Sequence, residues 1–313
     1  MTTAEKTIKL GIVARSQYAA LKEGIVKPQG VSLEIVEVAP MPTLFDRMIV
    51  DLEFDISEMA IVTYFQLKQL GQAFTALPIF PMRAFHKGSI TYNVNSGITT
   101  PKDLEGKNIG VRAYAGTAGV WARGLLSSEY GVDHTKITWV LTDIEHLSAI
   151  PNPSNTINRK GDKLPELIIS GEIDAGIGIQ GVDSPEVKPL IADIEQATAD
   201  WYAKTGVFPI NNCMVIRDEV LAANPEIAET FFTAYKQAKS LYLQRLVRQG
   251  PKALDEETDK RYSDIIGGDP LPIGIEANRK ALEMIAQFSV DQGVISTMPN
   301  IDDLFASSTR NLS

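Results

Sequence analysis

Residues 100–124, TPKDLEGKNIGVRAYAGTAGVWARG, restrict the fold more than any other stretch of this chain. Thr100 is placed to cap a short helix, with Pro101 at its first position, Asp103 three residues on and Gly106 to end it. A buried strand is expected over 108–111, followed by the small-residue loop Tyr114-Ala-Gly-Thr-Ala-Gly119 and a helix starting near Val120. Strand, small loop and helix in that order present backbone N–H groups and a positive helix end to an anion. The ligand implied is a small anion, a carboxylate before any other, and not a nucleic acid or a lipid.

Charge and length agree with this. Thirty basic against thirty-nine acidic residues give a net charge of −9, which argues against a polyanionic partner such as DNA or an acidic membrane surface. A local basic site for a small anion is compatible with that balance. The 313 residues suffice for two domains, each with its own core. A single cysteine, Cys213, excludes an internal disulfide framework and a cysteine-based zinc site, and its apolar surroundings mark it as a buried structural thiol. No H-E-x-x-H, no paired histidines and no carboxylates at ligand spacing are present, so no metal or other cofactor is predicted, beyond room for a loosely bound divalent ion between substrate oxygens. The N-terminal MTTAEKTIKLGIVARSQ shows no secretory pattern, and no run reaches transmembrane length. The expectation is a cytoplasmic protein without membrane insertion, or a periplasmic one if a leader has been removed; a homo-oligomer is compatible with either.

Along the chain, strands are predicted at 7–13, 32–38, 54–57, 76–78 and 89–94, with helices around 18–24, 43–50 and 61–70. Glu58 falls at the carboxyl end of the third strand. A second α/β run follows, with strands at 108–111, 137–140 and 174–179 and helices at 120–130 and 164–170; 151–161 reads as a polar loop. The chain then runs extended through 213–217. Asn224 caps a long helix with apolar Ile227, Phe231, Ala234, Tyr235, Ala238 and Tyr242 at 3–4 spacing, and a last helix covers about 275–292. The charged stretches 255–261 and 159–163 read as solvated surface. Two α/β units joined by extended crossings near 91–99 and 207–215 predict a two-lobed architecture, each lobe a mainly parallel sheet flanked by helices, with the ligand cleft between. Lobe 1 would comprise 1–95 and 213–313, and lobe 2 would comprise 96–212.

FDISEM (54–59), FP-x-RAF (80–85), AGTAGVWARGLLSSEYGV (115–132), SGEIDAGI (170–177), TGVFPI (205–210) and GIEANRKALE (274–283) occur in that order across nearly the whole chain. Together they resemble the 4,5-dihydroxyphthalate decarboxylase family, which is itself similar to type 2 periplasmic binding proteins. The resemblance implies the two-lobed fold, a small aromatic dicarboxylate as ligand and a carboxy-lyase activity. The chain departs from the family pattern at three places. His86-Lys87-Gly88-Ser89 stands where Arg-His-Ser follows the RAF segment, Asn211-Asn212 stands for Met-His, and Leu271-Pro272-Ile273 precedes GIEANR in place of Trp-Pro-Tyr. An asparagine amide does not titrate, so Asn212 cannot take over the acid, base or metal work of a histidine.

Decarboxylating a hydroxylated aromatic acid requires a held carboxylate, a proton for the ring carbon and a para hydroxyl to push electrons. The candidates for acid–base work are Glu58, His86 and Lys87. Arg15, after the first strand, is placed to bind a carboxylate bidentately, and Arg83, flanking the crossing segment, is a candidate for ligand contact. Tyr114, Gly116 and Thr117 form the anion cradle, Arg123 sits one turn inside the helix it opens, Gln180 ends a strand, and Asn211 and Asn212 lie on the second crossing. His134 and His146 lie in connections and read as surface residues. Three readings stay open at this level: a decarboxylase, a non-catalytic solute-binding protein of an uptake system, and an enzyme of the same fold acting on another carboxylate.

Overall fold

The computed structural model describes residues 6–179 and 182–313. Its strands are β1 (Lys6–Ile12), β2 (Val31–Glu37), β3 (Ile56–Ala60), β4 (Phe74–Arg83), β5 (Ile90–Asn93), β6 (Asn108–Val111), β7 (Thr138–Leu141), β8 (Thr156–Asn158), β9 (Ala175–Ile177), β10 (Val187–Pro189) and β11 (Ile210–Arg217). The chain divides into two compact units, one of Met1–Arg83, Asn212–Arg279 and Pro299–Ser313, the other of Ala84–Asn211 and Lys280–Met298.

The first unit holds a sheet in the order β2-β1-β3-β11-β4. β1 pairs parallel with β2 and β3, whereas β11 runs antiparallel to β3, with Asn212 opposite Ala60 and Met214 opposite Glu58. In β1 the alternation of Ile8, Leu10 and Ile12 sends the apolar side chains to one buried face. β3 is central and buried throughout, so Ser57 and Glu58 lie inside the protein. Glu58 is therefore a mid-strand residue and not a strand end, because the strand starts at Ile56 and runs two residues past it. The helix Ile227–Gln249 packs on this sheet through the stripe Ile227, Phe231, Ala234, Tyr235, Ala238 and Tyr242, all buried as the spacing predicts. Each large side chain so buried contributes about 1.5–3 kcal/mol. Asn224 closes a short preceding helix, Asp218–Ala223, and the long helix starts three residues later.

The second unit holds the order β10-β5-β9-β6-β7-β8. β9, β6, β7 and β8 are parallel, and β5 pairs antiparallel with both β9 and β10. That pairing ties 84–95, assigned to the first lobe from sequence, into the second unit; the stretch 280–298 moves with it. The loop expected at 151–161 contributes the edge strand β8, and the helix Ile194–Thr205 lacked a strong apolar period. The helix expected from Val120 begins at Thr117 and runs to Tyr130, ended by Gly131 in the left-handed region. Ahead of it, the Asp103 carboxylate accepts the Thr99 and Thr100 backbone N–H groups (2.9 and 2.7 Å), the capping arrangement expected there, and these amides hold its carboxyl down at about 2.

Close packing is most acute at two glycines. A Cβ on Gly110 of β6 would lie 2.5 Å from Ile173 and 2.6 Å from Leu164. A Cβ on Gly124 would lie 2.1 Å from the Phe288 ring, so the helix Arg279–Asp291 reaches the Thr117–Tyr130 helix only because that position has no side chain.

Candidate functional sites

In the first unit Arg15 and Asn212 converge on the buried side chain of Glu58. Glu58 is 0 % exposed and accepts hydrogen bonds from four residues. Val13 N–H reaches Oε1 at 3.1 Å, Arg15 Nη1 reaches both oxygens at 2.7 Å, Tyr18 Oη reaches Oε1 at 3.0 Å and Asn212 Nδ2 reaches Oε2 at 3.1 Å. The loop after β1 brings Val13, Arg15 and Tyr18, and the antiparallel strand β11 brings Asn212. Five hydrogen bonds from four residues thus end on the two oxygens of this one buried side chain. The carboxylate that Arg15 clamps is thus the chain's own. Burial opposes the Arg15 charge, but Glu58 and its hydrogen bonds more than offset this and move its pKa up; burial, with Glu58 second, drives the Tyr18 phenol well above its ordinary value.

Around this carboxylate lies a set of residues with no sequence motif of their own. Gln17 donates to the Pro81 carbonyl at 2.9 Å and accepts from Tyr235 Oη at 3.1 Å, joining the end of β4 to the same loop. Asp255 takes the Ser16 N–H at 2.7 Å, and four residues on, Asp259 accepts from Tyr242 Oη at 2.7 Å. The stretch 255–261 is therefore not a solvated run. Its helix, Leu254–Ile266, buries Glu256 and Tyr262, and the 4-3 spacing of Asp255, Asp259 and Tyr262 was the signal of an inward face. Burial raises the Asp259 carboxyl to about 6, with Asp255 and Asp269 adding to the effect and Tyr242 and Arg15 opposing it.

Arg83 ends β4 with its side chain buried, donating to the Asn278 amide oxygen and to the Pro272 carbonyl at 3.3 Å. Burial lowers its pKa to about 9. Asn278 belongs to the GIEANRKALE segment, so two of the motifs meet here. A separate groove of ≈ 500 Å³ along β2, bordered by Leu33, Ile35 and Glu37, contains none of these side chains.

In the second unit the small-residue loop does hold a carboxylate, that of Glu145. Its Oε1 accepts the Tyr114 N–H at 2.5 Å and its Oε2 the Ala115 N–H at 3.1 Å. Gly116 N–H turns back to the Ala113 carbonyl at 3.3 Å, and Thr117 opens the helix. Arg123 is fully buried under this loop, with its guanidinium 4.0 Å from the Tyr114 ring centroid and 5.1 Å from that of Trp139. Its Nε donates to Gln292 at 2.6 Å and its Nη2 to the Tyr114 carbonyl at 2.5 Å. Burial brings its pKa down to about 10, Tyr114 and Glu145 opposing.

His86, Lys87 and Asn211 also lie in this unit and make interior contacts. His86 stacks on Trp121 (6.4 Å between centroids, 11° between planes) and bonds Asn211 Oδ1 at 3.2 Å. Burial takes its pKa to about 4, so the imidazole is neutral near pH 7 and not the titrating group expected of it. Lys87 pairs with Glu129 at 2.8 Å and with the Ala197 carbonyl at 2.9 Å, which ties the helices Thr117–Tyr130 and Ile194–Thr205 together. Gln180 lies outside the described residues. Cys213 is a buried free thiol whose pKa burial pushes up, as its setting implied. Among the described residues no group of three His, Cys, Asp or Glu side chains is placed to hold a metal ion, and no helix is long and apolar enough to cross a membrane.

Comparison with known proteins follows the same lines. The model of the family described as NMT1/THI5 like matches residues 15–245. The chain is 33 % identical to a 4,5-dihydroxyphthalate decarboxylase of Comamonas testosteroni, over 65 % of this chain and 66 % of that protein. It is 31 % identical to the enzyme of the same name from Pseudomonas putida, over 58 % and 76 %. A 4-amino-5-hydroxymethyl-2-methylpyrimidine phosphate synthase of Aspergillus parasiticus is 28 % identical over 88 % and 72 %. Among solved structures, a periplasmic sulfonate-binding protein of Methylobacillus flagellatus superposes with a TM-score of 0.59 at 14 % identity, over 96 % and 91 % of the two chains. The fold is that of the periplasmic binding proteins.

Proposed function

The chain belongs to the NMT1/THI5-like family, and from that premise we propose that it binds a small aromatic dicarboxylate of the 4,5-dihydroxyphthalate class and releases one carboxyl group as CO2. The observation that carries this reading is the likeness to two proteins named as that decarboxylase, at 31–33 % identity. Support comes from the loop at Tyr114, where the N–H groups of Tyr114 and Ala115 hold a carboxylate, and from the buried guanidinium of Arg83. The ring carbon bearing the carboxylate takes a proton while the para hydroxyl feeds electrons in. The carbon–carbon bond then breaks and CO2 leaves with the ring aromatic again. One proton is consumed and no electrons are exchanged, so the chemistry calls for no organic cofactor. In this reading Glu58 orients Arg15 and Asn212 rather than moving the proton.

A specific observation favours the second reading, a binding protein without turnover. His86 is buried against Trp121 and bonded to Asn211, Lys87 is paired with Glu129, and Glu58 accepts five hydrogen bonds, so all three candidate acid–base residues make interior contacts, which supports this reading. Purified protein mixed with 4,5-dihydroxyphthalate, with CO2 release and thermal shift both recorded, decides between them. The decarboxylase reading expects both signals. A stabilising shift without CO2 leaves binding alone, and no shift removes this ligand class altogether.

A further inference from the structure

We propose that the amides of Tyr114 and Ala115 form a carboxylate seat which the chain fills with its own Glu145, and that a ligand carboxylate enters by displacing that side chain. The inference rests on the carboxylate-binding reading above and names the part of the site where it acts. Both Glu145 oxygens are used, one on each of two consecutive N–H groups, which is the way a free carboxylate docks on a main-chain cradle.

The occupant is built to leave. Glu145 lies in the irregular segment between β7 and β8 and is only half-buried. No cation forms an ion pair with it among the described residues; its bonds are to the two amides. The seat itself is rigid, because Tyr114 is buried and its carbonyl is held by Arg123 from below.

A second observation points to an anion at this place. Arg123 is completely buried, and among the described residues no acceptor reaches its Nη1. The carboxylate whose charge acts on it is that of Glu145. When Glu145 swings out, two amides lose their acceptors and the buried guanidinium loses a nearby negative charge, so the exchange is favourable only if another anion takes its place. A ligand carboxylate supplies the same charge and the same two acceptors. While Glu145 occupies the seat, ligand affinity falls in proportion to the fraction of molecules in which the seat is open.

The test compares wild type, Glu145→Ala and Glu145→Gln as the whole chain. Thermal unfolding is followed in sodium acetate and in sodium chloride at equal ionic strength, and 4,5-dihydroxyphthalate affinity is measured by calorimetry. Acetate is expected to stabilise Glu145→Ala and not wild type, and the aromatic diacid to bind the variant about tenfold more tightly, as for a seat about nine-tenths occupied. Acetate acting equally on both proteins, or a weaker affinity in the variant, would overturn the proposal. Acetate rescue with no binding of the diacid to any form keeps the seat and removes the decarboxylase reading. Should Glu145→Ala fail to fold, Glu145→Gln, which keeps the shape but not the charge, is compared with wild type in the same way; absence of acetate stabilisation there overturns the seat.

Discussion

Asn212 Nδ2 donates to Glu58 Oε2 over 3.1 Å, with both residues buried, so an amide that does not titrate meets this side chain at the position where the family resemblance implies a histidine. Arg15 pairs with the same side chain at 2.7 Å.

Replacing that donor by an acceptor tests the pair directly. Asn212→Asp sets a second carboxylate against Glu58 in a buried setting, and is expected to cost about 3 kcal/mol or more at pH 8 by urea unfolding. The loss should shrink toward pH 5, because one carboxyl of such a couple takes up a proton. A loss that does not change with pH would show that the two carboxyls are not coupled.

Asn212→His puts an imidazole beside Glu58, the residue type that the family resemblance implies at this position. If the chain is a decarboxylase short of a proton carrier, CO2 release from 4,5-dihydroxyphthalate should rise at least about tenfold, with thermal stabilisation by the diacid unchanged. Unchanged release would assign the proton step elsewhere.

His86 makes the fold acid-labile. Its pKa is about 4 in the folded chain against an ordinary 6.5, so the unfolded chain binds the extra proton. Stability from this residue is complete above about pH 6.5 and is lost as pH falls toward 4. The melting temperature should therefore drop across that window in wild type and drop less in His86→Gln, measured at several pH values.

Asp259 acts with the opposite sign. Its carboxyl stands near 6 in the folded chain against an ordinary 3.8, because burial disfavours the charge. The folded state holds its proton longer, so a destabilising contribution grows as pH rises from about 4 to 6 and persists above. Asp259→Asn keeps an acceptor for Tyr242 and removes that cost. It should gain on the order of 1–2 kcal/mol at pH 8, after allowance for partial exposure, and nothing at pH 4.

Gly124→Ala probes the packing of the second unit. The added methyl meets the Phe288 ring at its root, where the ring cannot turn aside, and overpacking of this kind costs about 1–3 kcal/mol. Denaturant unfolding checks it, and Gly124→Ala combined with Phe288→Leu should recover part of the loss.

Much of the fold was legible in local pattern. The apolar stripe of Ile227–Gln249, the alternation in β1 and the strand–loop–helix at 108–130 are each set by neighbours within a few residues, and each is found where the period places it. β8 and the helix Ile194–Thr205 were not legible, because one is a short edge strand with exposed side chains and the other is polar around most of its circumference. The boundary between the units shifted for the same kind of reason: β5 belongs with β9 and β10 through backbone pairing, which no side-chain pattern records.

The sequence by itself determined the α/β class, the family and the kinds of group available to meet an anion, since these depend on periodicity, motifs and residue chemistry. Only the tertiary structure decided which carboxylates those groups already hold. Arg15 is separated by 43 residues from Glu58, and Glu145 by 31 from Tyr114, so their charges meet through strand order and loop path rather than through spacing along the chain. The same holds for ionisation: His86 and Asp259 are an ordinary imidazole and an ordinary carboxyl until burial, a property of the whole packed unit, moves one down and the other up.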